Sequence, residues 1–71
     1  MVNKMPKIQQ SLITRINQEK GKKSYSNYKL AAVSGVAEST VGRVLKGEVL
    51  PTISTLIKLA DALQIDLKDL L

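Results

Sequence analysis

Apolar residues recur along this chain every three or four positions, the spacing that places them on one face of an α-helix. Ile8, Leu12, Ile13 and Ile16 make the first stripe, from about Pro6, with Gln9, Gln10, Thr14, Arg15 and Asn17 on the other face. A proline is tolerated in a first helical turn, and Gly21 after Lys20 reads as a stop, leaving residues 21–25 as a basic loop. Ser26 is a suitable cap for a second helix over 27–34, with Leu30, Ala31 and Val33 apolar and Gly35 turning the chain. A third helix runs from Glu38 to Lys46 with Val41, Val44 and Leu45 inward, and Gly47 stops it. Pro51 and Thr52 open a fourth over 53–64, whose stripe reads Ile53, Leu56, Ile57, Ala60 and Leu63. Asp66 caps a last short turn, Leu67 to Leu71. The pattern predicts an all-α domain of five short helices over residues 8–71, preceded by a loose arm over residues 1–7.

Composition narrows what such a domain can be. Its 71 residues fit one small domain with a modest core. There is no Cys, His, Phe or Trp, so stability has to come from ten Leu, six Ile and six Val packed as aliphatics. Without His or Cys the usual structural zinc sites are excluded, and neither a general base of the common kind nor a thiol nucleophile is present. The six carboxylates are scattered, so no enzyme chemistry, metal or cofactor is expected. The longest uninterrupted apolar run is Leu30 to Val33, far short of the ~20 residues of a membrane span. With no signal-peptide pattern after Lys4 and Lys7, a cytoplasmic location is expected.

Charge supplies the first positive clue. The net charge is +5, but it is unevenly spread. Through Gly47 there are nine basic and two acidic residues, whereas from Glu48 onward there are two basic and four acidic ones. Such asymmetry suits a front that faces a polyanion and a neutral-to-acidic back. A basic surface also serves solubility, so charge alone leaves both readings open.

The second and third predicted helices, joined by a short turn containing Gly35, have the form of a helix-turn-helix, whose second helix can lie in the DNA major groove. With Val41, Val44 and Leu45 inward, the outer face of the third helix is Glu38, Ser39, Gly42, Arg43 and Lys46, with Thr40 at the rim. An ordinary helical hairpin with a polar outer face would show the same pattern.

The residues themselves go further. Tyr25-Ser-Asn-Tyr-Lys-Leu-Ala-Ala-Val-Ser-Gly-Val-Ala-Glu-Ser-Thr-Val-Gly-Arg-Val-Leu-Lys-Gly47 resembles, without gaps, the helix-turn-helix of the lambda-repressor-like, or Xre-type, family. The matching positions are Ser26, Leu30, Ala31, Gly35, Val36, Ser39, Thr40, Val41, Arg43, Val44 and Gly47. The stretch from Pro51 to Leu70 looks like the fourth and fifth helices of the same family. Ser39 to Gly47 is also similar to the lac-repressor family, which lacks the downstream Leu-Ala-Asp-Ala-Leu helix.

This resemblance implies a small bacterial or phage transcriptional regulator, a repressor by family analogy, that binds double-stranded DNA and needs no cofactor. Glu38, Ser39, Thr40, Gly42 and Arg43 would face the bases. Arg43 can contact guanine in bidentate fashion or clamp a phosphate; Ser39 and Thr40 suit several bases; Glu38 can accept from a cytosine amino group or simply suit the helix dipole. Gly42 would let the backbone lie close to base edges, or is merely tolerated. Ser26, Asn27, Tyr28, Lys22, Lys23, Lys29 and Lys46 are the phosphate candidates, Asn27 standing where the family often has Gln. Tyr25 is expected to pack as a hydrophobic staple ahead of the second helix.

Two departures from the family pattern stand out. Ala37 occupies a position where many members have a Ser or Thr cap. Some members also pair an Arg late in helix 1 with a Glu late in helix 3; the corresponding residues are Asn17 and Leu45, where aliphatic packing is expected instead. A palindromic operator would require a homodimer, for which Leu67, Leu70 and Leu71 offer a surface unless they close the monomer core. A protein-interaction module of the same fold, such as an antitoxin binding its partner through those leucines, is the alternative.

Overall fold

A computed structural model describes residues 7–66 and residue 68, save the side chains of Ile8 and Gln9. Four helices form among the described residues: α1 (Lys7–Lys22), α2 (Asn27–Ser34), α3 (Glu38–Leu45) and α4 (Ile53–Ala62). The fifth turn, expected over Leu67 to Leu71, lies outside the described residues apart from Lys68. That residue is helical, and its N–H donates to the Asp66 carboxylate at 3.0 Å, the bond a cap would make. Most of the expected arm, residues 1–6, is likewise outside them.

The core is wholly aliphatic. Leu12, Ile13 and Ile16 of α1 meet Leu30 and Ala31 of α2, Val41 and Val44 of α3, and Leu56, Leu59, Ala60 and Leu63 at α4, with Ile65 beyond it. No polar or charged residue is buried among the described residues. Helix α2 packs on both α3 and α4, while α1 packs on α3. Fully burying a Leu or Ile contributes about 1.5–3 kcal/mol, so a dozen apolar positions can hold so short a chain together.

The inner face of α4 differs from the one expected. Ile53 and Ile57 point to solvent, and Leu59 joins Leu56, Ala60 and Leu63 in the core. Because α4 carries apolar residues on two adjoining faces, periodicity alone allows either to be buried. Packing against α2 selects the one with three leucines.

Helix ends explain the remaining boundaries. Helix α1 passes through Gly21 and stops two residues later than expected. There Ser24 turns left-handed (φ 57), its N–H donates to Gly21 C=O at 3.0 Å, and the Tyr25 N–H donates to Lys20 C=O at 3.1 Å. These paired reverse bonds are a Schellman closure. The same closure ends α3 at Gly47 (φ 77), where the Gly47 N–H reaches Val44 C=O and the Glu48 N–H reaches Arg43 C=O. It also ends α4 at Ala62, two residues before the expected limit, with Gln64 left-handed (φ 60) and bonds from the Gln64 N–H to Asp61 C=O and from the Ile65 N–H to Ala60 C=O.

Thr52 caps α4, its hydroxyl accepting from the Thr55 N–H at 3.1 Å. Pro51 is buried beside it and anchors the connection from α3.

Candidate nucleic-acid interface

Helix α2 is fixed at both of its ends. Ser26 caps α2 by accepting from the Lys29 N–H at 3.0 Å, as its residue type predicts. Tyr25, just before it, is half-buried against the core that contains Leu30, which is the staple arrangement. At the other end Gly35 is left-handed (φ 79), and the Ser34 hydroxyl accepts from the Val36 N–H at 3.2 Å. Only three residues, Gly35 to Ala37, separate the helices, and α3 starts at Glu38.

Helix α3 turns Val41 and Val44 fully inward, with Leu45 half-buried against the same cluster. Its opposite face presents Glu38, Ser39, Arg43 and Lys46, all exposed, with Thr40 half-buried at the rim. None of the four exposed side chains forms an ion pair or hydrogen bond among the described residues. The N-terminus of α3 is uncapped: Ala37 has no side-chain acceptor, so Glu38 in the first turn is the only favourable charge for the helix dipole there.

Asn27 and Gly42 come together across the two helices. A Cβ placed on Gly42 would lie 3.8 Å from the Asn27 amide nitrogen and meet no other neighbour within 4 Å. Gly42 is therefore half-buried beneath Asn27 and not fully open, which corrects the picture of a bare outward backbone. The start of α2 and the middle of α3 thus share one surface. At that start the Ser26 side chain and carbonyl take the Lys29 and Leu30 N–H groups, leaving those of Asn27 and Tyr28 free of partners. Free N–H groups at a helix N-terminus form a site suited to anions.

The basic residues divide into two sets. Lys22 is turned along α1 to Glu19 (3.4 Å), which Arg15 also holds at 3.2 Å. Desolvation of the Glu19 carboxyl pushes its pKa up, but the hydrogen bonds and charges of Arg15 and Lys22 outweigh it and leave it below the ordinary carboxylate range. Lys23 donates to the Gln64 amide oxygen at 3.5 Å, linking the α1–α2 loop to the end of α4. Lys29 stays beside the α2 start, its ammonium 5.9 Å from the centre of the Tyr25 ring, and Tyr28 is exposed next to it. Of the expected phosphate candidates, Ser26, Asn27, Tyr28, Lys29 and Lys46 therefore border the α2–α3 surface, whereas Lys22 and Lys23 are engaged elsewhere.

One contact had no counterpart in the sequence reading. The Asn17 amide donates to Leu45 C=O at 3.3 Å and to Ile13 C=O at 3.2 Å. Aliphatic packing was expected between positions 17 and 45; a hydrogen bond joins them, and it ties α1 to the C-terminal end of α3. A backbone acceptor leaves no mark in the sequence, so residue types alone could not reveal it.

No three His, Cys, Asp or Glu side chains gather among the described residues, and no helix there is long and apolar enough to cross a membrane. No curated protein and no solved structure matches the chain. A family model for the helix-turn-helix of the lambda-repressor/Xre-like type matches residues 16–70, which takes in the end of α1, the α2–α3 unit and α4. Spanning most of the chain, that match agrees with the helix pair built above: the protein belongs to the lambda-repressor-like helix-turn-helix family of DNA-binding transcription regulators.

Proposed function

We propose that the protein is a repressor that occupies a specific operator, with α3 in the major groove. The observation that carries this reading is the outer face of α3. Its polar and cationic side chains have no partners among the described residues, and the free N–H groups at the start of α2 border the same surface. Arg43 reads guanine through paired hydrogen bonds to O6 and N7, an interaction worth about 1–3 kcal/mol of discrimination. Ser39 and Thr40 contact neighbouring bases, and Glu38 accepts from a cytosine amino group.

Asn27, Tyr28, Lys29 and Lys46 hold the phosphates on either side, with Ser26 setting the α2 end that aims them. Gly42 lets Asn27 fold over α3 without crowding. A palindromic operator bound by two copies fits this mode of reading, because each copy carries a single recognition helix.

Selection from a random duplex library at low and then physiological salt tests the proposal. Enrichment of a site with guanine at one fixed position is expected, and Arg43→Ala should relax the preference there while leaving the rest of the site unchanged. Each phosphate contact should add about 0.9 to the log–log salt slope. Salt-sensitive binding without any enriched sequence would overturn specific readout, and absence of binding at low salt would overturn DNA binding altogether.

A further inference from the structure

We propose that Asn17 of α1 is a positioning residue for base readout. By holding the C-terminal end of α3 it makes Arg43 a strictly read position, while the uncapped N-terminal end leaves Glu38 and Ser39 tolerant of several bases. The inference rests on the DNA reading above, since it takes α3 to lie in the major groove.

A helix ends on carbonyls that have no partner within it, those of its last four residues. In α3 each of these is taken. Gly42 C=O accepts from the Lys46 N–H, Arg43 C=O from the Glu48 N–H and Val44 C=O from the Gly47 N–H. Leu45 C=O is the remaining one, and the Asn17 amide donates to it at 3.3 Å from across the α1–α3 junction. The same amide donates to Ile13 C=O one turn back at 3.2 Å, so both of its N–H groups are used and its orientation is fixed. Ile13 and Ile16 of α1 pack in one core with Val44, which gives the bridge a rigid base.

The N-terminal end of α3 is held differently. Ala37 offers no side-chain acceptor, and the N–H groups of Glu38, Ser39 and Thr40 have no partner among the described residues. Glu38 and Ser39 are exposed and Thr40 is half-buried, so Val41 is the first residue of the helix to enter the core. An eight-residue helix is only about two turns long, and its uncapped first turn is a large share of it. A turn with few buried contacts opens at little cost in free energy.

Base readout depends on that difference. Paired bonds from an arginine to guanine O6 and N7 need both nitrogens placed together, and a firm mount keeps the helix from shifting to accept another base. Arg43 sits within the anchored turn: its own carbonyl takes the Glu48 N–H, and Val44 beside it has no exposure. Glu38 and Ser39 sit on the turn that can adjust, where a side chain can follow whichever base offers it a partner.

Position-resolved selection from a random duplex library, run side by side on the wild type and its variants, is the test. The wild type should show its sharpest preference at the base that Arg43→Ala relaxes, and broader ones at the bases affected by Glu38→Ala and Ser39→Ala. Asn17→Asp is isosteric but sets an acceptor against an acceptor. It should lower the preference at the Arg43 position about fivefold, the effect of one hydrogen bond, without altering the others. A general loss of structure would instead weaken every position alike. Asn17→Gln keeps the donor and should restore the preference, because an open cleft of about 300 Å³ bordered by Thr14, Asn17, Leu45 and Lys46 has room for the longer side chain. Ala37→Ser, by capping the other end, should sharpen the preferences at the Glu38 and Ser39 positions and leave that of Arg43 alone.

Amide exchange of the free protein supplies a readout that needs no DNA. The Lys46, Gly47 and Glu48 amides should be protected in the wild type and lose about fivefold in protection in Asn17→Asp, with the Val41 amide unchanged. Equally sharp preferences at both ends of α3 would overturn the inference, as would an Asn17→Asp variant whose preferences fall evenly or whose amides exchange as in the wild type. A chain that binds no duplex loses the DNA reading and the readout role with it. One that reads its site with unchanged preferences in Asn17→Asp keeps the DNA reading and loses only the inference.

Discussion

Helices α3 and α4 each bury a narrow aliphatic edge, Val41 and Val44 on one and Leu56, Leu59, Ala60 and Leu63 on the other, yet their solvent faces differ in kind. The outer face of α3 carries Glu38, Ser39, Arg43 and Lys46, polar groups without partners among the described residues. That of α4 carries Ile53 and Ile57, with Lys58 and Asp61 beside them. Two helices with similar obligations to the core have thus been given different chemistry wherever the core is indifferent. Surplus of this sort is informative, because the fold does not require it.

Cutting into the shared inner faces should have the largest effect. Leu59 has no exposure, so Leu59→Ala should cost about 2–5 kcal/mol by denaturant melting, a large part of the stability of so small a domain. Ile53→Ala on the opposite side of the same helix should fall within about 0.5 kcal/mol of wild type. Equal losses at the two positions would erase the distinction between the faces. On α3, Arg43→Ala should leave the melting curve unmoved and lose about 1–3 kcal/mol of operator affinity, placing its whole effect on the ligand side.

Gly42→Ala sharpens the contrast because its two effects have opposite signs. A helical glycine costs about 1 kcal/mol relative to alanine, and the added methyl meets only the Asn27 amide at ordinary contact distance. Thermal stability should therefore rise, by about 4–8 °C for a domain of this size, while operator affinity falls if DNA lies against that surface. The smaller change is Ala37→Ser. It supplies the missing cap on α3, whose backbone there is already outside the helical region (φ −58, ψ 140), and should add about 1 kcal/mol to stability.

Much of the α2–α3 unit was legible because each of its boundaries is written in a residue with a single strong reason to be there. Ser26 is a cap, Gly35 and Gly47 take left-handed turns, and Val41 and Val44 can face only inward. The expected limits of α2 match the structure, and α3 ends one residue early, at its cap. Helices α1 and α4 were less legible for the converse reason. Their left-handed closing residues are Ser24 and Gln64, which carry no turn signal, and tertiary contacts hold them there: Tyr25 packs on the core beyond one, and Ile65 beyond the other. On α4 two apolar faces competed, and only packing against α2 decided between them. The outer face of α3 was assigned from sequence alone, but the pairing of Lys23 with Gln64, 41 residues away, depends on three-dimensional proximity.

The all-aliphatic interior has a consequence for how this protein responds to its medium. No described residue in the core can gain or lose a proton, and the chain has no histidine. On the surface of α1, the Glu19 carboxyl is held below its ordinary range. A lowered folded-state pKa stabilises the fold above the unfolded value and ceases to do so as pH falls through the folded value, so its contribution disappears only in acid. Neither the core nor Glu19 should therefore make the unfolding free energy vary from roughly pH 5 to pH 9, as chemical melts of the wild type against Glu19→Gln across that range would show. Dependence of DNA affinity on acidity within that window then reads the charges at the interface and not protonation of the core or of Glu19.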